Sequence, residues 1–515
     1  MVENNLYGLD IDDRAGQLAY FSVMMEARKY NRRALNGDLE PKVMAIEETK
    51  FMTGEMISYV ANGDKALQED LTYLKTVFDD GKEYGSILTV KSLDFVRIYS
   101  RLSELETVVP ENLLDQLVHD QALSHLKPII MQAEILSGKF DAVITNPPYM
   151  GGSGMDARLS KYVKDHYPDS KSDLFAVFIE RCKEMTAVNR YQAMITQHAW
   201  MFLSSYEKLR GKLLNVDTIN MAHLGARAFE EIGGEVVQTT SFVMQKRQIK
   251  GFKGTYCRLI EPTTQQGKED MFLAGENRYE SQQANFAKIP GSPVAYWVGE
   301  DKVKYFVHNM EAVLNCKTGL ICGNNEKYIR HWYEVKDDKI CLNCMSLGDG
   351  SIENVNKWFP YNHGGERRRW YGNHNDVVNL QNSGESIKKE KGAMMRNSDF
   401  YFKSGITWNR VGSGKKFAAR VALEGFVFDD VSPSGFLYDK MYYSILGYMN
   451  SKVFQEYLQI FCTALKTEIG HIQKVPYLMS KHELTNKVVK NSVDLLKTDW
   501  DSYEASWDFK KHPLV

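Results

Sequence analysis

Asn146, Pro147, Pro148 and Tyr149 stand together at the end of an apolar run, in the stretch "FDAVITNPPYM" from Phe140 to Met150. Prolines donate no backbone hydrogen bond and fix φ, so a core strand rarely runs into two of them. The residue ahead of a proline is held extended. The side-chain oxygen of Asn146 and the carbonyl of Pro147 then become two fixed acceptors in a small pocket. Two acceptors facing one place suit an amino group, because both N–H bonds are held while the nitrogen lone pair stays available. Tyr149 supplies a flat face on which a planar base can stack. These parts would hold a flipped-out nucleobase by its exocyclic amine. A tight turn without chemistry is the plainer alternative, and the position directly after a buried-type strand argues against it.

Such a turn needs a strand to deliver it and a sheet to hold that strand. The run Ala142 to Thr145 is expected to sit centrally in a sheet, with its carboxyl end where open α/β sheets place ligands. A helical segment from Glu111 to Gly138 precedes it. The glycine-rich "MGGSGMD", a helix in "SDLFAVFIERCKEM" and strand-like "YQAMIT" and "TTSFVMQK" follow, with a helix around "SYEKLRGKLL". Near the start, "NLYGLDID" reads as a short strand, and a long helical segment closed by Gly37 follows it. Strands alternating with helices predict a parallel-rich α/β sheet covered on both faces. After about Arg247 the texture turns polar and irregular. From about residue 316 come Gly/Asn turns, aromatics and clustered basic residues.

The bulk properties are those of a globular protein. The 515 residues suggest two or three domains, with 43% hydrophobic and 25% charged residues. A net charge of -2 gives no global basic field, so any nucleic-acid contact must rest on local patches. Seven cysteines without a signal-peptide pattern point to scattered reduced thiols and a cytoplasmic setting. "CLNC" has ligand spacing, but Cys316 and Cys322 are too far apart for the first half of a zinc site. No metal is expected. No apolar run approaches the ~18–20 residues that span a bilayer.

"NPPY" resembles the catalytic motif of amino-methyltransferases that use S-adenosylmethionine, in particular DNA adenine methyltransferases. The match continues through "SDLFAVFIERC", "YQAMITQHAW" and "TTSFVMQK", and reaches upstream to "NNLYGLDIDDRAGQLA". Later stretches, "GLICGNNEKYIRHWYEV", "KWFPYNHGGERRRWYGN" and "YFKSGITWNRV", look like the target-recognition half of the BREX phage-defence methyltransferases, with type IIG-like enzymes as wider relatives. The resemblance implies an incomplete Rossmann-like methyltransferase domain over 1–250 and a connector over 251–315. An α+β target-recognition domain over 316–480 and a tail over 481–515 would follow.

It also implies roles. Asn146 and Pro147 would orient the adenine amine, Pro148 would stiffen the turn, and Tyr149 would stack on the base. Asp10, or Asp12, would hold the ribose hydroxyls of S-adenosylmethionine. Phe175 would border the donor's adenine. Phe242, with Met244 an almost equal fit, would give the second face of the base sandwich. The acid of the third strand is sought at Asp80 or Asp94. Expected partners are double-stranded DNA, an N-terminal methyltransferase segment and other phage-defence subunits, with no membrane. A non-catalytic DNA-recognition subunit is the competing class, and a protein or RNA methyltransferase is a third.

Basic-aromatic clusters suit phosphate contacts: Arg367, Arg368, Arg369, Trp370 and Tyr371, then Lys388, Lys389, Lys391 and Arg396. Trp408, Arg410, Lys415, Lys416 and Arg420 form another. A solvated charged surface is their bland counterpart. "GSGKK" at Gly412 lacks phosphate-loop spacing. Finally, in a dinucleotide-type fold the ribose acid lies ~20 residues after a glycine-rich turn. Asp10 leaves no room for that turn, so the chain reads as the C-terminal part of a larger enzyme.

Overall fold

The computed structural model describes all residues except 38, 111, 230–236, 343, 348–356, 412–416, 439–440, 463–465, 479–481 and 513–515. The chain divides into two compact units, Met1–Gln283 and Ala284–Val515. The first unit opens with β1 (Tyr7–Asp10), helix α1 (Asp13–Tyr30) and β2 (Lys42–Ala45). Asp12 starts α1 by accepting hydrogen bonds from the N–H groups of Arg14 and Ala15, both at 2.9 Å. Gly16 lets the helix lie against β2, since a Cβ there would come 2.9 Å from the Ala45 nitrogen. β1 and β2 pair in parallel as a two-stranded sheet.

A second sheet has six strands in the order β3-β4-β6-β5-β7-β8. These are β3 (Phe140–Thr145), β4 (Thr186–Gln197), β5 (Asp217–Ala226), β6 (Gln238–Gln245), β7 (Gly254–Arg258) and β8 (Arg278–Ser281). β3 and β4 are parallel, as are β5 and β7, while β6 runs antiparallel between β4 and β5. Helix α2 (Leu113–Ser137) leads into β3, and α3 (Leu174–Met185) packs on β3 and β4. The sheet is thus mixed and not parallel-rich. β3 lies at its edge and not at its centre, so Ile144 in the apolar run is 77% exposed. Two strands, β7 and β8, come from the stretch expected to be an irregular connector. They extend this sheet because Tyr256 fills its core.

The second unit holds two four-stranded sheets. One runs β10-β12-β11-β15 and the other β14-β13-β16-β9. Their members are β9 (Leu314–Lys317), β10 (Ile329–His331), β11 (Trp358–Asn362), β12 (Asp376–Asn379), β13 (Gly405–Trp408), β14 (Ala419–Ala422), β15 (Val427–Phe428) and β16 (Ser434–Leu437). Helices Tyr442–Met449, Lys452–Phe461 and His482–Trp500 close a large core around Trp408, Leu446 and Phe454. The last helix brings Val489 and Val493 into that core, so 481–515 is more than a tail. Cys341 and Cys344 form a disulfide, and the other five cysteines are buried free thiols. The expectation of seven reduced thiols is corrected for that pair, whose Cα atoms stand 5.6 Å apart. Among the described residues no helix is long and apolar enough to cross a membrane.

Candidate active site

The turn after β3 is fastened at its far end. Asp173, the cap of α3, accepts from the N–H of Met150 at 3.0 Å and of Phe175 at 3.3 Å. The N–H of Leu174 donates to the Met150 carbonyl at 3.1 Å, and that of Gly152 to the Ser172 carbonyl at 3.1 Å. The prolines stiffen one side of Tyr149 and this backbone stitch holds the other. Burial pushes the Asp173 carboxyl up, while the N–H groups of Phe175 and Met150 pull it back. Nothing in the sequence marked Asp173 beyond its place ahead of an apolar helix, which is a capping signal.

Within the turn Pro147 is buried, and Asn146 is exposed. The Asn146 amide makes no hydrogen bond to a described residue, so its oxygen is open to a substrate. Tyr149 is half-buried, with its ring edge-to-face on Phe175 at 6.2 Å. Its hydroxyl is 3.5 Å from the Ile195 carbonyl, and burial pushes it up to about 12. A phenol held neutral in this way offers its ring and not a charge.

The other expected residues fall into three groups. Asp10 ends β1 exposed, with one oxygen accepting from the Asp12 N–H at 2.9 Å and the other open. Asp12 is engaged as the cap of α1, and the Ala15 N–H holds its carboxyl below the usual range. Phe175 and Phe242 are fully buried, at 0% and 1% exposure. Phe175 lies between Tyr149 and Tyr206, and Phe242 meets Trp200 at 5.4 Å. No face of either ring is open to a ligand in this structure. Met244 is also buried and accepts from Gln192. Alternation along β6 could not reveal this, because the covering Trp200 arrives from a separate turn.

Asp80 is paired with Arg158 at 2.7 Å, and Asp94 caps the helix Phe95–Leu105. The acids that follow the second strand are instead Glu47 and Glu48, just past β2. Gln132 of α2 clamps this strand end. Its amide donates to the Ala45 carbonyl and accepts from the Glu47 N–H, both at 2.9 Å. Sequence reading missed β2 because four residues with flanking charges give no alternation signal. It also missed His198 and His223, whose rings meet at 2.8 Å beyond β4 and on β5. Burial pushes His198 down to about 4 and His223 well below its ordinary value, so the pair is neutral. Phe229, half-buried on the turn after β5, is one aromatic at that end of the sheet that is not fully covered.

In the second unit the loop His363–Asn373 presents Arg367 and Arg369 exposed, with Arg368 half-buried over the Trp500 ring at 4.9 Å. The loop is pinned at its glycines, Gly364 and Gly365, which take φ of +93° and +101°. Asn373 donates to the Gly364 carbonyl at 2.9 Å and Asn409 to the Gly365 carbonyl at 2.7 Å. The neighbouring cluster is different. Arg410 is held by Glu468 at 2.9 Å and Asp430 at 2.8 Å, while Arg420 and Trp408 are wholly buried. Those three belong to the framework. Lys415 and Lys416 lie outside the described residues.

A mixed sheet with an Asn-Pro-Pro-Tyr turn at a strand end defines a class, and residues 4–227 match the model of the Eco57I restriction-modification methylase family. Along its whole length the chain is 39% identical to "Adenine-specific methyltransferase PglX" of Lacticaseibacillus casei (strain Zhang). It is 35% identical, again throughout, to "Adenine-specific methyltransferase BrxX" of Escherichia coli O9:H4 (strain HS). The chain spans 44% of the length of each. By sequence, then, the whole chain is related to just under half of PglX and BrxX. Among solved structures, the Type ISP restriction-modification enzyme LlaGI bound to a DNA substrate mimic is similar over 96% of this chain and 52% of that one. Its identity is 10% and its TM-score 0.47, too low to assign any residue.

Proposed function

We propose that this chain carries the catalytic and target-recognition portion of an adenine-specific DNA methyltransferase working in phage defence. The observation that carries the reading is the turn itself. An exposed Asn146 and a half-buried Tyr149 sit on a strand end, between two prolines and the Asp173 stitch. The full-length similarity to proteins named adenine-specific methyltransferases supports it.

In this reading the adenine leaves the duplex and lies against the Tyr149 ring. The Asn146 side-chain oxygen and the Pro147 carbonyl accept its two N–H bonds and aim the nitrogen. S-adenosylmethionine, when bound, supplies an electrophilic methyl group. Among the residues present, the open oxygen of Asp10 fits a ribose hydroxyl, and Glu47 or Glu48 fits the acid of the next strand. Phe175 acts from beneath, as the support that fixes the Tyr149 ring. Phe229 is the better candidate for the second face of the base. Arg367, Arg368 and Arg369 contact phosphates, and the pinned loop lowers the entropy cost of placing them.

The test is methyl transfer with this chain substituted for the matching part of PglX. Duplex DNA, RNA and protein are offered together with labelled S-adenosylmethionine. Label on adenine in duplex DNA alone is expected. Label on RNA or protein would overturn the proposal.

A further inference from the structure

Two strand edges in the first unit face a common space with nothing between them. β1 pairs only with β2, and β3 pairs only with β4, among the described residues. Each therefore keeps one row of backbone N–H and C=O groups without a ladder partner. Both strands line one cavity of about 510 Å³, from Tyr7 and Leu9 on one side to Phe140–Thr145 on the other. Its floor is Phe178, Cys182 and Met185 of α3. The Asn146–Tyr149 turn does not line it, so the cavity is not the base pocket. Tyr7 begins β1 and Phe140 begins β3, and their rings meet at 5.2 Å, so the two strands start at the same end.

Apolar side chains beside this gap are also bare. Ile144 on β3 is 77% exposed. On α1, Leu18, Phe21 and Met25 follow i, i+3, i+7 spacing and are 66%, 59% and 36% exposed. A stripe of that kind normally packs on another element.

We propose that the gap between β1 and β3 is an acceptor site for one extended segment of polypeptide, running parallel to both strands and followed by a helix. The occupant is a strand-and-helix segment from the part of PglX-type proteins that this chain does not span, which is more than half of their length. The chain geometry specifies where its helix goes. Parallel neighbours need a crossover, and such crossovers are right-handed. A crossover from the inserted strand into β1 moves across the sheet in the same direction as the β1–α1–β2 crossover. Its helix therefore lands on the same face as α1, beside Leu18, Phe21 and Met25. One inserted strand would join the two sheets into one of nine strands. The proposal stands on the open edges and not on the methyl-transfer reading.

The experiment co-produces this chain with the remaining polypeptide of the L. casei PglX and reads amide hydrogen exchange, a measurement independent of activity. Association is expected, with exchange in Tyr7–Asp10 and Phe140–Thr145 slowed about tenfold or more. Ile144→Lys and Phe21→Lys, both at exposed positions, should leave the melting of the chain alone unchanged. Each should weaken association roughly tenfold or more, the scale of burying one large apolar side chain. A complex without protection of either strand would overturn the proposal, as would failure to associate. Protection of both strands in a homodimer of the chain alone would also overturn it, by assigning the gap to a second copy.

Discussion

Replacing Asp173 with alanine removes the link between the catalytic turn and α3. The carboxylate makes two contacts, as the cap accepting from Phe175 N–H and as the acceptor of Met150 N–H. Loss of a cap costs about 0.5–2 kcal/mol. Loss of the Met150 contact adds less than the usual ~1.5–3 kcal/mol for a charged acceptor, because water can reach that N–H. Relief of a half-buried carboxylate, which burial pushes up, offsets part of the sum. The expected loss is about 1–2 kcal/mol in the first unit. Asp173→Asn is the control, since asparagine caps as well as aspartate and has no charge to desolvate. It should stay within about 0.5 kcal/mol of the parent. Urea unfolding gives the stabilities, and hydrogen exchange over Met150–Gly152 reports the turn directly. Asp173→Ala should speed that exchange, and in the assembled enzyme slow methyl transfer more than tenfold with donor binding kept; Asp173→Asn should do neither. Equal behaviour of the two variants, or an unchanged turn in Asp173→Ala, would refute the reasoning.

Other outcomes follow from the same structure. Phe242→Ala should destabilise the first unit by about 3–5 kcal/mol, as expected for emptying a core aromatic site; unchanged stability with impaired methylation would make Phe242 a base-stacking residue. Neutralising Arg367, Arg368 and Arg369 together should make the slope of log affinity against log salt shallower by ~0.9 per lost phosphate contact. An unchanged slope in DNA titrations would place them on an ordinary solvated face. His374, buried among Tyr371, Phe426 and Trp500, is pushed down to about 3 by burial and by the charge of Arg420. Because the folded form stays neutral while the unfolded chain takes up a proton below ~6.5, stability falls as pH drops through the range between these values. The cost is ~1.4 kcal/mol per pH unit below 6.5, so about 2 kcal/mol at pH 5. His374→Phe should flatten that acid slope in melts of the second unit, and parallel slopes for parent and variant would contradict the assignment.

The catalytic turn was legible because its signal is local. An apolar run, two prolines and a capped helix are read from adjacent residues, and β3, the turn and α3 stand where that pattern puts them. Asp10 at the end of β1 was legible for the same reason. What failed depended on partners far along the chain. Phe242 looks available until Trp200 is laid over it, and Arg410 looks like a DNA contact until Asp430 and Glu468 reach it. The four residues of β2 are too few to show a period, so Glu47 and Glu48 went unnoticed while Asp80 and Asp94 drew attention. The edge position of β3 could not be read at all, since strand order is a property of the assembled sheet.

The most direct test of the central claim is Asn146→Ala. This chain is placed in the context of the longer PglX polypeptide, and N6-methyladenine is read along genomic DNA. Removing one preorganised contact to the reacting amine should cost ~3 kcal/mol or more, a loss of methylation beyond a hundredfold. Fold and S-adenosylmethionine binding, followed by calorimetry, should be retained. Methylation at the parental rate in that variant would contradict the account.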